Sequence, residues 1–286
     1  MTLDTVATRA SLRAVVAAWR RAGLRVGVVP TMGSLHEGHL GLVDRAKRLS
    51  DRVVATVFVN PLQFGPAEDL ARYPRDLDRD RDLLAVRGAD LLYAPAVAEM
   101  YPVPPMIRVD PGPLAGRLEG SVRPGHFAGV LTVVAKLFHQ TAADVACFGQ
   151  KDIQQATMIR RMVTDLDWPI EIAVVPTVRD HDGLALSSRN GFLSPVERRE
   201  ALVLSRTLRS VNQAWRSGVV SGPRLVDHGR EALASEPAVQ ADYLVIVDPD
   251  RLEPVETAGP GSIVAVAARV GTTRLIDNII LGEVAA

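Results

Sequence analysis

The chain has 286 residues, 47% of them hydrophobic, ample for one sizeable core and a smaller second domain. Its 33 Lys and Arg balance its 33 Asp and Glu, so no overall charge points to nucleic acid or to an anionic membrane surface. The single cysteine, Cys147, excludes an internal disulfide and fits a reducing compartment. The first residues carry both charge signs without an uninterrupted apolar block, so no secretory signal is expected there. No stretch approaches the ~20 apolar residues of a membrane span. A cytoplasmic protein with no membrane partner is the expectation.

Patterning predicts the elements in chain order. Residues 12–22 (LRAVVAAWRRA) read as an amphipathic helix and Val26–Val29 as a short buried strand. A helix is expected from near His36 to Leu49, and the β-branched block 53–60 (VVATVFVN) reads as the next strand. A charged helix over 77–87 and a strand at Leu91–Tyr93 follow. Then come a helix over 126–140, a strand at 145–148, a helix over 153–166 and a strand at 170–175. Such alternation predicts βαβ units and an α/β fold on a doubly wound, mostly parallel sheet. The pattern changes near Val178. Ser194-Pro195-Val196-Glu197 has the form of a capping box with proline at the first helical position, opening a helix toward Ser217. Another helix is expected over 223–235, then strands at 243–247, 263–270 and 273–280. The implied division is a first domain over 1–178 and a smaller α+β domain over 179–286.

The most informative segment is VVPTMGSLHEGHL (28–40). A buried strand ends, a glycine-containing turn follows, and two histidines stand where a helix starts. Exposed amides and the positive end of the helix dipole make such a place an anion site. The i, i+3 spacing puts His36 and His39 on one helix face, where both can donate to a phosphate chain, and Gly38 permits close approach of a nucleotide. Taken alone, the pair would also serve as structural caps. Zinc would need further ligands that no nearby Cys or His supplies.

Asn60 and Gln63 follow a strand's carboxyl end, where ligands sit in open α/β sheets, and amide side chains suit a substrate with a carboxylate and hydroxyls. Asp76, Asp78, Asp80 and Asp82 alternate with Leu77, Arg79 and Arg81, a run that on its own reads as a solvated helix face. In LEGSVRPGHF (118–127), Arg123 and His126 are candidates for anionic groups, and Glu119 for Arg123 or an amine. In CFGQKDIQQ (147–155), Gly149 turns and Lys151 begins a helix, a point charge suited to phosphate. In PTVRDHDGLALSSRNGFLS (176–194), Ser187, Ser188 and Arg189 form a hydroxyl and guanidinium cluster that can close on a triphosphate.

His36-Glu37-Gly38-His39 resembles the His-x-Gly-His signature of the nucleotidylyltransferase superfamily, and PTMGSLHEGH resembles the pantothenate synthetase version of it. FVNPLQF, FGQKDIQQ, SSRN and the C-terminal GTTRLIDNI are similar to strings of the same family, so the likeness spans nearly the whole chain. The resemblance implies a Rossmann-like first domain for ATP and pantoate and a C-terminal domain acting as lid. For ATP it implies Thr31, Met32, Gly33, His36, Gly38 and His39. Gly149, Gln150, Lys151 and Asp152 would join them, as would Val178, Leu186, Ser187, Ser188 and Arg189. For pantoate it implies Gln63, Gln155 and Asn60, and for a magnesium ion Asp80. His39, His36 and Lys151 would carry the catalysis.

The family commonly reads Phe-Gly-Glu-Lys-Asp-Tyr-Gln-Gln, where this chain has Gln150 and Ile153, and Leu186 stands where methionine is frequent. The implied reaction is ATP-dependent condensation of pantoate with β-alanine through a pantoyl-adenylate, with Mg2+, in a homodimer. Another nucleotidylyltransferase, or a nucleotide-binding protein without catalysis, is the alternative. GTTRLIDNI (271–279) reads as structural strand pairing, and a nucleic-acid partner is not expected.

Overall fold

The computed structural model describes residues 3–65, 70–71 and 73–283. The chain divides into two compact units, Met1–Gly149 with Gln154–Val175, and Gln150–Ile153 with Pro176–Ala286.

The first unit alternates strands and helices as the patterning predicts. Its elements are β1 (Thr5–Val6), α1 (Arg9–Arg21), β2 (Val26–Thr31), α2 (Glu37–Leu49), β3 (Arg52–Val57), α3 (Leu77–Arg87) and β4 (Leu91–Tyr93). They continue with α4 (Val97–Met100), α5 (Leu118–Val122), α6 (His126–Thr141), β5 (Val145–Gly149), α7 (Ile153–Asp165) and β6 (Glu171–Val175). The strands form one sheet in the order β1-β4-β3-β2-β5-β6, every pair parallel. The doubly wound α/β fold is therefore as expected. β1 and α4 were not anticipated, because elements of two and four residues leave no periodicity to read. The strand expected over 53–60 stops at Val57, and Asn60 caps a 3-10 turn over Pro61–Gln63.

Both faces of this sheet are covered, which is why its strands read as unbroken apolar runs. On one side Val28, Ala146 and Phe148 pack with Leu12 and Val16 of α1, Leu131 of α6 and Ile159 of α7. On the other, Val29, Val145 and Cys147 pack with Val43 and Ala46 of α2 and Leu84 of α3. Neighbouring strand residues thus feed opposite cores, as the two-residue repeat requires. Burial pushes the Cys147 thiol up to about 11, which keeps it protonated and inert.

In the second unit α8 (Pro195–Arg216) and α9 (Gly222–Ala234) precede an antiparallel sheet of β7 (Val239–Val247), β8 (Ile263–Val270) and β9 (Thr273–Ile280). The capping box forms as read: Ser194 Oγ accepts the Glu197 amide, and the Glu197 carboxylate accepts the Ser194 amide at 2.8 Å. Ala201, Leu204, Leu208 and Val211 recur at helical spacing on α8 and meet alternate residues of β8, Val264, Val266 and Ala268. Among the described residues no helix is long and apolar enough to cross a membrane.

Leu208 has no exposed surface. Its replacement by alanine is expected to lower the unfolding free energy by about 2–5 kcal/mol, read as a shifted midpoint in urea denaturation.

Candidate active site

β2 ends in Thr31, whose hydroxyl donates to the Thr56 carbonyl at 2.6 Å and accepts the Gly33 amide at 3.2 Å. The chain then turns through two left-handed residues, Gly33 at φ +82° and Ser34 at φ +53°. A non-glycine residue is uncommon in that region, and the turn is held from outside. Asp80 supplies the hold: its two carboxylate oxygens accept the Ser34 amide at 2.9 Å and the Leu35 amide at 2.8 Å. Asp80 is 1% exposed, and beside it Arg79 donates to the Leu35 carbonyl at 3.2 Å. The alternating Asp/Arg run is therefore not uniformly solvated.

α2 starts directly after this turn with His36 as its N-cap, in place of the usual Ser, Thr, Asp or Asn. His36 Nδ1 accepts the Gly38 amide at 3.1 Å, and His39 Nδ1 accepts the His36 amide at 3.4 Å. The two rings lie 4.1 Å apart, centroid to centroid. Because both Nδ1 atoms accept, each neutral ring carries its proton on Nε2, at the positive end of the helix. Two adjacent imidazoles, their planes inclined at 41°, at a helix N-terminus form a donor array suited to a polyphosphate. Capping engages Nδ1 of each ring, so it does not compete with an anion for the other ring nitrogen.

Asn60 and Gln63 come together with residues from α6. The Asn60 amide nitrogen donates to Gln63 Oε1 at 3.1 Å and to the Gly129 carbonyl at 3.0 Å, while its oxygen accepts the Tyr101 hydroxyl at 2.9 Å. Gly129 is required here, because a Cβ would collide with the Leu62 carbonyl. Burial raises the Tyr101 hydroxyl to about 12, which keeps it a donor. Gln63 Nε2 reaches Met32 Sδ at 3.1 Å, joining this turn to the strand end of β2. Arg123 lies 3.0 Å from His126 Nε2, and a guanidinium can only donate. His126 therefore carries its proton on Nδ1 and donates it to the Gln63 carbonyl at 2.8 Å. Of the 58–80 stretch, residues 66–69 and 72 lie outside the described residues.

Gly149 closes β5, and Gln155 is half-buried on α7. Its neighbour Gln154, 3% exposed, pins the 114–119 segment by donating to the Leu114 and Arg117 carbonyls and accepting the Glu119 amide.

In the second unit, Gln150, Lys151 and Asp152 form a 3-10 turn. The Lys151 ammonium lies 3.8 Å from the Asp152 carboxylate. Val178 and Leu186 pair through a backbone hydrogen bond of 3.0 Å, which sets up the segment that ends in Ser187. Ser187 caps the turn Ser188–Phe192 by accepting the Arg189 amide, and the Arg189 side chain is exposed. Lys151, Ser187 and Asn190 line one small crevice.

Arg179 grips Asp277 through both guanidinium nitrogens, at 2.6 and 3.0 Å. Arg198 donates to Asp180 at 2.6 Å and to Asp182 at 3.1 Å. The hydrogen bonds from His181, with Arg198 beside them, lower the Asp180 carboxyl to about 2. Sequence reasoning passed over Arg179, Asp277 and Asn278, since a strand residue gives no sign of the loop it holds.

A doubly wound parallel α/β sheet with a histidine-capped helix directly after a central strand is an architecture that nucleotide-binding α/β proteins use. The family model for pantoate–beta-alanine ligase matches residues 4–280. A pantothenate synthetase of Acidobacterium capsulatum is 54% identical over 90% of this chain and 86% of its own. One from Roseiflexus sp. is 51% identical over 98% and 99%. The crystal structure of pantothenate synthetase from Thermus thermophilus superposes with a TM-score of 0.92 at 52% identity, covering 97% of this chain and 99% of that one. The ligase of Francisella tularensis, solved with beta-gamma ATP and beta-alanine, gives 0.80 at 30% identity, covering 97% of each chain. The chain belongs to the pantoate–β-alanine ligase family.

The anchoring of the 33–35 turn by Asp80 leads to a specific expectation. Asp80→Asn replaces one acceptor with a donor facing an amide, so the turn should loosen and stability fall by about 2 kcal/mol. If the carboxylate acts through the turn, the half-saturating magnesium concentration stays at the wild-type value in a steady-state titration. A rise in that concentration identifies Asp80 as a direct ligand.

Proposed function

We propose that this chain activates pantoate with ATP and joins it to β-alanine, giving pantothenate, AMP and pyrophosphate. The carrying observation is the pair of histidine rings at the α2 N-terminus, with Nδ1 committed to the backbone and Nε2 as donor. Membership of the ligase family supports the choice of substrates.

A carboxylate acylates an amine poorly, because the group leaving would be an oxide. Attack of the pantoate carboxylate on the α-phosphate of ATP gives an acyl-adenylate, whose leaving group is AMP, and releases pyrophosphate. The β-alanine amine then attacks the activated carbonyl. No protein nucleophile is needed; positioning and charge stabilisation suffice.

In this reading His36 and His39 donate to the phosphate chain, and Lys151 and Arg189 add positive charge. Thr31, Met32, Gly33 and Gly38 let the nucleotide approach the backbone. Gly149, Asp152, Val178, Leu186, Ser187 and Ser188 complete its contacts. Gln63 and Gln155 bind pantoate, and Asn60 orients Gln63 through the amide bond described above. The 183–191 loop acts as the lid and excludes water from the intermediate.

Magnesium, bound with ATP, would neutralise the charge that develops on the departing pyrophosphate. Such an ion takes one or two carboxylates, with phosphate and water filling the remainder. The family resemblance associates Asp80 with this ion; with both oxygens on backbone amides, Asp80 would support the ion's site through the turn. Balanced charge favours small molecules over nucleic acid as partners. The reading places the enzyme in the cytoplasm as a homodimer.

The test is pyrophosphate release from ATP with pantoate and magnesium, with and without β-alanine. Release should depend on pantoate, and pantothenate and AMP should appear only once β-alanine is added. His39→Ala should slow release by about 10²–10³-fold, the cost of removing one preorganised donor. Absence of pantoate-dependent release in an enzyme that still binds ATP would overturn the assignment.

A further inference from the structure

Asn278 sits in β9, within the string that reads as strand pairing alone, and its side chain is 2% exposed. Its amide nitrogen donates to two consecutive carbonyls, those of Gln150 and Lys151, each at 2.9 Å. Its oxygen accepts Gln150 Nε2 at 3.3 Å. Both hydrogens of the amide are thus spent on the 3-10 turn that carries Lys151. Aspartate, of the same shape, has no hydrogen to give and would set a carboxylate against two carbonyl oxygens. The geometry therefore calls for asparagine.

We infer that Asn278 is a positioning residue for adenylate formation, fixing where the Lys151 amine stands by holding that residue's backbone from β9. The inference rests on the assignment of Lys151 to the ATP phosphates. The lysine side chain is 16% exposed, and the Asp152 carboxylate 3.8 Å away is too distant for a hydrogen bond. With no hydrogen bond from Asp152 to fix it, its aim depends on the residues packed around it and on the backbone it leaves. The neighbouring β9 residue, Asp277, holds Arg179, which in turn donates to the Gly183 carbonyl at 3.2 Å. Two adjacent strand positions thus steady two separate loops that the sequence marks for phosphate. Gln150, where the family commonly has glutamate, presents the donor that the oxygen of this amide needs.

The experiment compares wild type with Asn278→Asp, Asn278→Ser, Asn278→Ala and Lys151→Ala, measuring melting, ATP and pantoate KM and the rate of pantoate-dependent pyrophosphate release. Asn278→Asp and Asn278→Ala should slow release on the order of 10- to 100-fold, the cost of a charge displaced by about 1 Å. Asn278→Ser, which keeps one donor, should recover part of that rate. ATP KM should rise while pantoate KM stays near wild type in all three, a split that a general loss of folded protein, which leaves both KM values unchanged, does not produce. Wild-type release in Asn278→Asp and Asn278→Ala overturns the inference, provided Lys151→Ala is slow. Wild-type release in Lys151→Ala overturns instead the assignment of that lysine. If no Asn278 variant melts cooperatively above the assay temperature, the residue belongs to the fold at large and the specific role fails.

Discussion

In the six-stranded sheet β2 has β3 on one side and β5 on the other, and the helices that follow β2 and β5 go to opposite faces. A doubly wound sheet opens a crevice at the carboxyl ends of such a pair. Thr31 and Gly149 are the last residues of these two strands, so the chemical motifs begin where the topology leaves room. The same reversal sends α2 away with its N-terminus beside the strand end. That places the dipole and the exposed amides of the helix at the site without any further device.

Histidine is an unusual helix cap, and its use here divides one side chain between structure and chemistry. Serine would cap as well, but its donor sits on the atom that caps, held close to the backbone, and aspartate offers only acceptors, which repel a phosphate. Imidazole has a second nitrogen on the far side of the ring. The capping role of His36-Glu37-Gly38-His39 and its proposed role in phosphate binding, which compete as readings of the sequence, are therefore compatible in one arrangement.

Elements with long periodic patterns were legible to within a few residues. α3 and β4 have the expected limits, and the Ser194 box opens α8 as read. The two-residue β1 was not legible, since it depends on pairing with β4 and carries no pattern of its own. The candidate residues themselves stood out by type and spacing. The groups that hold them did not. Asp80 lies in a run whose other aspartates face water, and its burial against the 33–35 turn sets it apart from them. Asn278 occupies a strand position where polarity has many explanations. Ile153, where the family commonly has tyrosine, is 4% exposed, which accounts for an apolar residue there.

The turn over Ser188–Phe192 lies between fixed points. Upstream, Arg179 is tied to Asp277 and Arg198 to Asp180 and Asp182; downstream, Ser194 is locked into the capping box of α8. A stretch bounded in this way has few conformations open to it before any ligand arrives. Ordering such a stretch around the proposed phosphate would forfeit little chain entropy, and more of the contact energy would be retained as affinity. The ion pairs flanking the turn, none of which needs to touch a substrate, would act on such binding through the disorder they have already removed.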